Sequence, residues 1–119
     1  MNPRHFRTAS FIFGTVILLS PVNAQRPNAS ATEIRLGQTA PYSGPVSAYS
    51  AIAKTQAAYF RMINEHGGIN GRKINLISYD DSYSPPKTVE QVRRLVEGEE
   101  VLATFQTIDT ATNAAIQNT

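Results

Sequence analysis

Polar and apolar positions alternate through Glu33-Ile34-Arg35-Leu36-Gly37-Gln38, and the chain then runs into TAPYSGPVS, a pattern that predicts a short strand and a loop. From Ser47 to His66 the period changes. Ile52, Tyr59, Phe60 and Ile63 recur at i, i+7, i+8 and i+11 with alanines between them, the stripe of a long amphipathic helix. Gly67-Gly68 ends it, because a glycine past the last turn adopts the left-handed conformation without a steric penalty. Asn70-Gly71-Arg72 reads as a turn. Lys73 to Tyr79, KINLISY, is a β-branched and aromatic stretch of strand length that opens onto DDSYSPP, where Pro85-Pro86 mark a loop and a helix start. Val89, Val92, Leu95 and Val96 return to helical spacing, with Gly98 as the stop. Val101 to Phe105 is the third predicted strand, and Thr110 to Thr119 begins a third helix.

The order is βαβαβα. Crossovers between parallel strands are right-handed in nearly all cases, so the economical architecture is α/β, a three-layer parallel sheet with helices on its faces. The loops that follow strands, 39–47, 80–87 and 106–110, then emerge together at the carboxyl edge, where open α/β sheets bind ligands. Loops 66–72 and 98–100 are connectors at the other edge. Three strands also leave sheet edges unpaired, which predicts a fragile, association-prone unit.

The first 24 residues follow another logic. Arg4, His5 and Arg7 form a basic start, Phe11 to Leu19 an apolar core, and Pro21-Val22-Asn23-Ala24 supplies small residues where a signal peptidase cuts. Residues 1–24 are therefore expected to be a cleaved secretory signal peptide; the apolar run is too short for a spanning helix of roughly 20 residues. Residues 25–32, polar and proline-containing, are expected to be a disordered lead-in. Residues 33–119 carry the folded part.

Removing Arg4 and Arg7 changes the charge picture, since nine basic residues then face nine acidic ones. The basic balance of the whole chain belongs to the targeting segment, and nothing points to nucleic acid. The absence of cysteine excludes disulfides, thiolate metal sites and a thiol nucleophile.

Candidate chemistry is sparse. Loop 39–47 lacks both the Gly-x-Gly-x-x-Gly and the Gly-Lys-Ser/Thr phosphate patterns, and no cofactor motif occurs elsewhere. Asp80-Asp81 could hold a hard cation, but an aspartate accepting backbone N–H groups in the turn before Pro85 is the plainer reading. His66 sits at a helix C-terminus, a favourable place for a cation, with no nucleophile near it in sequence. No serine elbow and no zinc motif is present, so catalysis has no positive support. Tyr49, close to the carboxyl edge, is either a wall of a ligand site or a core aromatic.

Three segments, IRLGQTAPYSGPVSAYS, INEHGGINGRKINLISYDDSYSPPKTVEQVRRLV and ATFQTIDTATNAAIQ, resemble the start of a type I periplasmic binding protein of the Leu/Ile/Val-binding family. The ordered set of Ser43-Gly44-Pro45, Gly67-Gly68-Ile69-Asn70-Gly71-Arg72 and Tyr79-Asp80-Asp81 carries the likeness, which runs from Ile34 to the last residue. The resemblance implies a solute receptor of an ABC importer, in the periplasm, partnered by a permease in the inner membrane. Two α/β lobes close over a small solute, of which these residues form the first part of lobe one. It implies a branched-chain amino acid or related small carboxylate or amide as solute, and no enzymatic activity.

The resemblance also assigns site residues. Thr107 matches the hydroxyl that receives the ligand carboxylate, Tyr49 the aromatic set against the ligand, and Gln106 and Ile108 flank. Asp109 departs from the pattern, because several relatives have glycine there and a carboxylate repels an anionic ligand. Capping the third helix is the expected role for Asp109, or else the solute is not a simple amino acid. Two other classes share the element order. A receiver-like signalling domain needs an aspartate at the end of the first strand, which is missing here; an exported α/β hydrolase would need a serine elbow further along.

Overall fold

A computed structural model of the chain describes residues 30–117. The signal-peptide expectation, residues 1–24, lies outside the described residues, as do residues 25–29 of the expected lead-in and residues 118–119 of the expected third helix. Ser30 to Thr32, the end of the expected lead-in, meet the start of the sheet. The Ser30 hydroxyl accepts the Glu33 N–H at 2.8 Å, and the Thr32 carbonyl accepts the Lys73 N–H at 2.8 Å, extending the sheet ladder by one step.

The strands are β1 (Glu33–Ala40), β2 (Lys73–Asp80) and β3 (Ala103–Thr104). The helices are α1 (Ser50–Glu65), preceded by a 3-10 turn over Ser47–Tyr49, then α2 (Pro85–Arg93) and α3 (Thr110–Ile116). All strand pairs are parallel, in the order β2-β1-β3. The α/β parallel architecture expected from the sequence is the one found. Two elements differ in extent. The α2 coil widens into a π turn over Arg94–Gly98, and β3 is a regular strand for two residues only. Its backbone is nonetheless held along β1 on both sides, by Leu102 N–H to the Arg35 carbonyl at 2.9 Å and Phe105 N–H to the Gly37 carbonyl at 2.7 Å.

The first crossover, β1 to β2, runs away from β3, whereas the second returns across β1. Right-handed connections therefore place α1 on one face of the sheet and α2 with α3 on the other. Alternate residues of β1 show this directly. The Gln38 side chain bonds to Gln56 of α1, while a Cβ on Gly37 would stand 3.1 Å from Leu95 Cδ1 and 3.1 Å from Val101 Cγ2 on the opposite face. Leu95, fully buried, sits against β1 because position 37 has no side chain.

Helix α1 ends as its glycines predict. Gly68 N–H reaches the Ile63 carbonyl at 2.9 Å and Gly67 N–H the Asn64 carbonyl at 3.2 Å, the paired 6→1 and 5→2 bonds that satisfy the last turn. Gly68 has φ +75°, and a Cβ there would lie 2.0 Å from the Arg72 carbonyl oxygen. The β2 edge is partly shielded. The Asn64 side chain donates to the Ile74 carbonyl at 2.7 Å and accepts the Ile74 N–H at 2.8 Å, standing in for one peptide of a missing neighbour strand. Among the described residues no helix is long and apolar enough to cross a membrane.

Candidate functional site

The strand order makes β1 and β3 neighbours whose following helices leave to opposite faces. Their carboxyl ends thus bound a crevice, the place where open parallel sheets take ligands. Loops 41–49 and 105–109 form its two walls, and the loop after β2 flanks the first.

Asp80 organises the first wall. At the last position of β2, its carboxylate accepts the Ser43 N–H at 3.1 Å and the Ser43 hydroxyl at 2.6 Å. It also accepts the Ser82 N–H and hydroxyl, both at 3.0 Å, and the Lys87 ammonium at 3.1 Å. One carboxylate therefore clamps the loop after β1 to the loop after β2 and to the first turn of α2. Desolvation works against its charge, but the hydrogen bonds from Ser43, Ser82 and Lys87 outweigh it and hold the carboxyl well below the usual range. Asp81 points inward, nearly fully buried, and its Oδ1 accepts the Tyr83 N–H at 2.9 Å. The acidic pair thus serves the turn before Pro85, in line with the plainer sequence reading.

Tyr49 closes the 3-10 turn, its N–H donating to the Val46 carbonyl at 3.0 Å, and its side chain is 55% exposed. It is an edge aromatic and not part of the core. Tyr83, which sequence reasoning did not single out, joins it. The Tyr83 pKa is raised first by the interaction of its hydroxyl with Asp109, then by desolvation and by the charges of Asp109 and Tyr49. Tyr83, in the loop after β2, thus senses the Asp109 carboxylate in the loop after β3. An aromatic in a carboxyl-edge loop was the available signal.

The second wall is Gln106, Thr107, Ile108 and Asp109. Gln106 has φ +50° and Asp109 φ +87°, both unusual for residues with a Cβ. Asn113 of α3 braces the segment through its Nδ2, which donates to the Thr107 carbonyl at 2.9 Å and to the Asp109 carbonyl. Thr112 donates its hydroxyl to the Ile108 carbonyl. The Thr107 hydroxyl takes no part in that bracing. Asp109 is the N-cap of α3, its Oδ2 accepting the Ala111 N–H at 3.2 Å. The Thr110 N–H, Tyr83 and the Ala111 N–H together lower its pKa, so it is ionised at neutral pH. Gln106 is anchored from the other side by a hydrogen bond from Gln56 of α1, a residue with no signal in the sequence.

His66 lies at the opposite end of α1, its Nδ1 2.7 Å from the Met62 carbonyl oxygen, and takes no part in the crevice. Tyr49, Gln106, Thr107 and Ile108, the residues expected to line a ligand site, stand on loops at the same sheet edge.

The family model described as "Periplasmic binding protein" matches residues 33–119. A curated relative, "Leu/Ile/Val-binding protein homolog 3" of Brucella melitensis, is 33% identical over 70 residues, covering 58% of this chain and 19% of the relative. The "Leucine-, isoleucine-, valine-, threonine-, and alanine-binding protein" of Pseudomonas aeruginosa is 29% identical over 68 residues, covering 56% of this chain and 18% of its own length. Among solved structures, a possible leucine/isoleucine/valine-binding protein from Rhodopirellula baltica superposes with a TM-score of 0.67 at 25% identity, covering 72% of this chain and 24% of that one. The chain thus spans about a fifth of the length of the curated relatives it matches.

Proposed function

We propose a receptor role for this chain on the premise that it belongs to the periplasmic binding protein family. In this reading it is the first part of an extracytoplasmic solute receptor of an ABC importer, and it delivers a branched-chain amino acid or a related small carboxylate or amide to a permease. The solute lies between the crevice described above and a second lobe. Export through a cleaved signal peptide, residues 1–24, brings the protein to the periplasm. No catalytic step is part of the role.

The observation that carries the reading is the crevice at the switch point between β1 and β3. It gathers an exposed aromatic ring, Tyr49, and a hydroxyl, Thr107, at the edge where parallel sheets take ligands. The Tyr49 ring would cover the apolar part of the solute, and Thr107 would donate a hydrogen bond to its oxygen. Gln106 and Ile108 would flank. Asp109 has its charge committed to the α3 cap and to Tyr83, which lessens its repulsion of an anionic solute.

One lobe of a clamp binds weakly, since half of the contacts and the exclusion of water are missing. Titration of the chain with L-leucine, L-isoleucine and L-valine, followed by two-dimensional NMR, tests this. Weak, saturable shifts confined to residues 42–49, 82–83 and 106–112 are expected. Shifts centred elsewhere, or none with any of the three, would overturn the assignment, and micromolar affinity for this chain alone would overturn the two-lobe clamp.

A further inference from the structure

A groove runs along the outer edge of β2, away from the β1–β3 crevice. In a parallel ladder the N–H and C=O of one residue point to the same side, and β2 has a neighbour on one side only. Both groups of Ile74 go to the Asn64 side chain, away from β1. The peptides of Leu76 and Ser78, two and four residues on in the same regular strand, therefore face the same open side. Among the described residues no side chain bonds either of them. Beside this edge, under α1, lies a cavity of about 210 Å³. Ala57, Phe60, Ile74 and Leu76 give it an apolar lining, and Arg61 and Asn64 add polar groups.

Size and charge together select the occupant. Small-molecule sites run roughly 300–1,000 Å³, so this cavity suits a single large side chain. An open strand edge beside a side-chain cavity is the arrangement that takes an extended peptide, with main-chain bonds giving affinity and the cavity choosing a residue. Asn64 already holds the place of such a strand at Ile74, so an added segment starts at Leu76. Arg61 lines the cavity, and Lys54, seven residues earlier in α1, stands on the same flank about 10 Å nearer the carboxyl edge. Both are exposed, and among the described residues neither makes an ion pair. A second copy fits poorly, because antiparallel pairing of two β2 edges lays both α1 helices side by side and sets Lys54 and Arg61 of one copy against those of the other.

We propose that the groove binds an extended acidic segment of a partner protein as an added strand along Leu76 to Ser78, its apolar side chain in the cavity and its carboxylates against Arg61 and Lys54. This surface does not depend on the solute role.

The probe is acetyl-Thr-Glu-Thr-Leu-Thr-Glu-amide, in which the glutamates and the leucine share one face when extended, alongside the same peptide with lysine in place of both glutamates. NMR titration of the full chain should show the acidic peptide shifting Leu76, Ser78 and Arg61 and slowing exchange of the Leu76 and Ser78 N–H protons at least roughly tenfold at saturation. The lysine peptide should do neither. Arg61→Ala should weaken the acidic peptide by about three- to fivefold, the most an exposed ion pair allows, and Arg61→Glu should turn the preference over to the lysine peptide. Ala57→Phe fills the cavity and should abolish the slowing; if that variant does not fold, Arg61→Glu, on an exposed residue, decides.

Equal responses to the two peptides, shifts centred elsewhere in the chain, or unchanged exchange at Leu76 and Ser78 would overturn the proposal. Slowing at those residues that grows with protein concentration in the absence of peptide would overturn it as well, by giving the edge to a second copy.

Discussion

Replacing Asp80 with asparagine keeps the shape of the clamp and removes its charge. One oxygen of the new amide can still accept the Ser43 and Ser82 N–H groups. The other position becomes an NH₂, and it faces three donors: the Ser43 hydroxyl at 2.6 Å, the Ser82 hydroxyl at 3.0 Å and the Lys87 ammonium at 3.1 Å. A hydrogen bond to a charged partner is worth about 1.5–3 kcal/mol when buried. The Asp80 side chain is 31% exposed, so water replaces part of what is lost, and the Lys87 ion pair contributes no more than about 1 kcal/mol. The expected loss for Asp80→Asn is about 2–3 kcal/mol.

The pH dependence gives the same carboxylate a signature. Its folded pKa lies below the ordinary value, so the unfolded chain takes up the proton first as pH falls. The stabilisation is complete above roughly pH 4, the ordinary aspartate value, and is lost as pH drops through the folded pKa. Urea unfolding followed by circular dichroism should therefore show the unsubstituted protein losing stability below roughly pH 4 faster than Asp80→Asn, so that the two curves converge. Equal midpoints at neutral pH, or parallel curves in acid, would refute the clamp.

Gly68→Ala combines φ +75° with a Cβ 2.0 Å from the Arg72 carbonyl oxygen, and is expected to lower stability by at least about 2 kcal/mol in the same urea assay. Gly37→Ala presses a methyl into Leu95 and Val101 and should cost about 1–3 kcal/mol. In the double variant with Leu95→Ala the loss should be smaller than the sum of the two single losses, as coupled neighbours require. At Asp109, glycine relieves the strained φ of +87° and remains an adequate N-cap, so thermal melting should shift upward; alanine keeps the strain, loses the cap and should shift it downward. Asp109→Gly should also tighten binding of L-leucine relative to L-leucinamide, measured by NMR titration, because a negative charge leaves the rim.

What was legible in the chain was what depends on near neighbours. The stripe of Ile52, Tyr59, Phe60 and Ile63 marked α1, Gly67-Gly68 marked its end, and Asp109 directly before an alanine-rich run marked a cap. The parallel order followed from element sequence and handedness. Contacts between distant residues were not legible. Gln56 meets Gln106 across 50 positions and Ser43 meets Asp80 across 37, and both meetings are set by the register of β1 against β2 and β3. The π turn at Arg94–Gly98 was hidden for a similar reason. Leu95 has to reach β1 at a glycine, and that demand comes from tertiary packing and not from the helical pattern of Val89, Val92 and Leu95.

The two walls of the crevice are built on different physical terms. Asp80 fixes the first through backbone N–H groups of two loops, so Ser43 and Ser82 move only if the clamp opens. The second wall carries the strained backbone, at Gln106 and Asp109, and is held by side chains from α1 and α3, Gln56 and Asn113. Side-chain tethers give way at lower cost than backbone ladders, and strain lowers that cost further. Any rearrangement of the crevice is therefore expected in residues 106–109, while Ser43 and its neighbours form the more firmly held wall. Tyr83 stands between the two, its backbone in the clamped loop and the pKa of its hydroxyl raised by Asp109. A change in the charge of Asp109 is thus expected to move the titration of the Tyr83 hydroxyl, across the gap between the two walls.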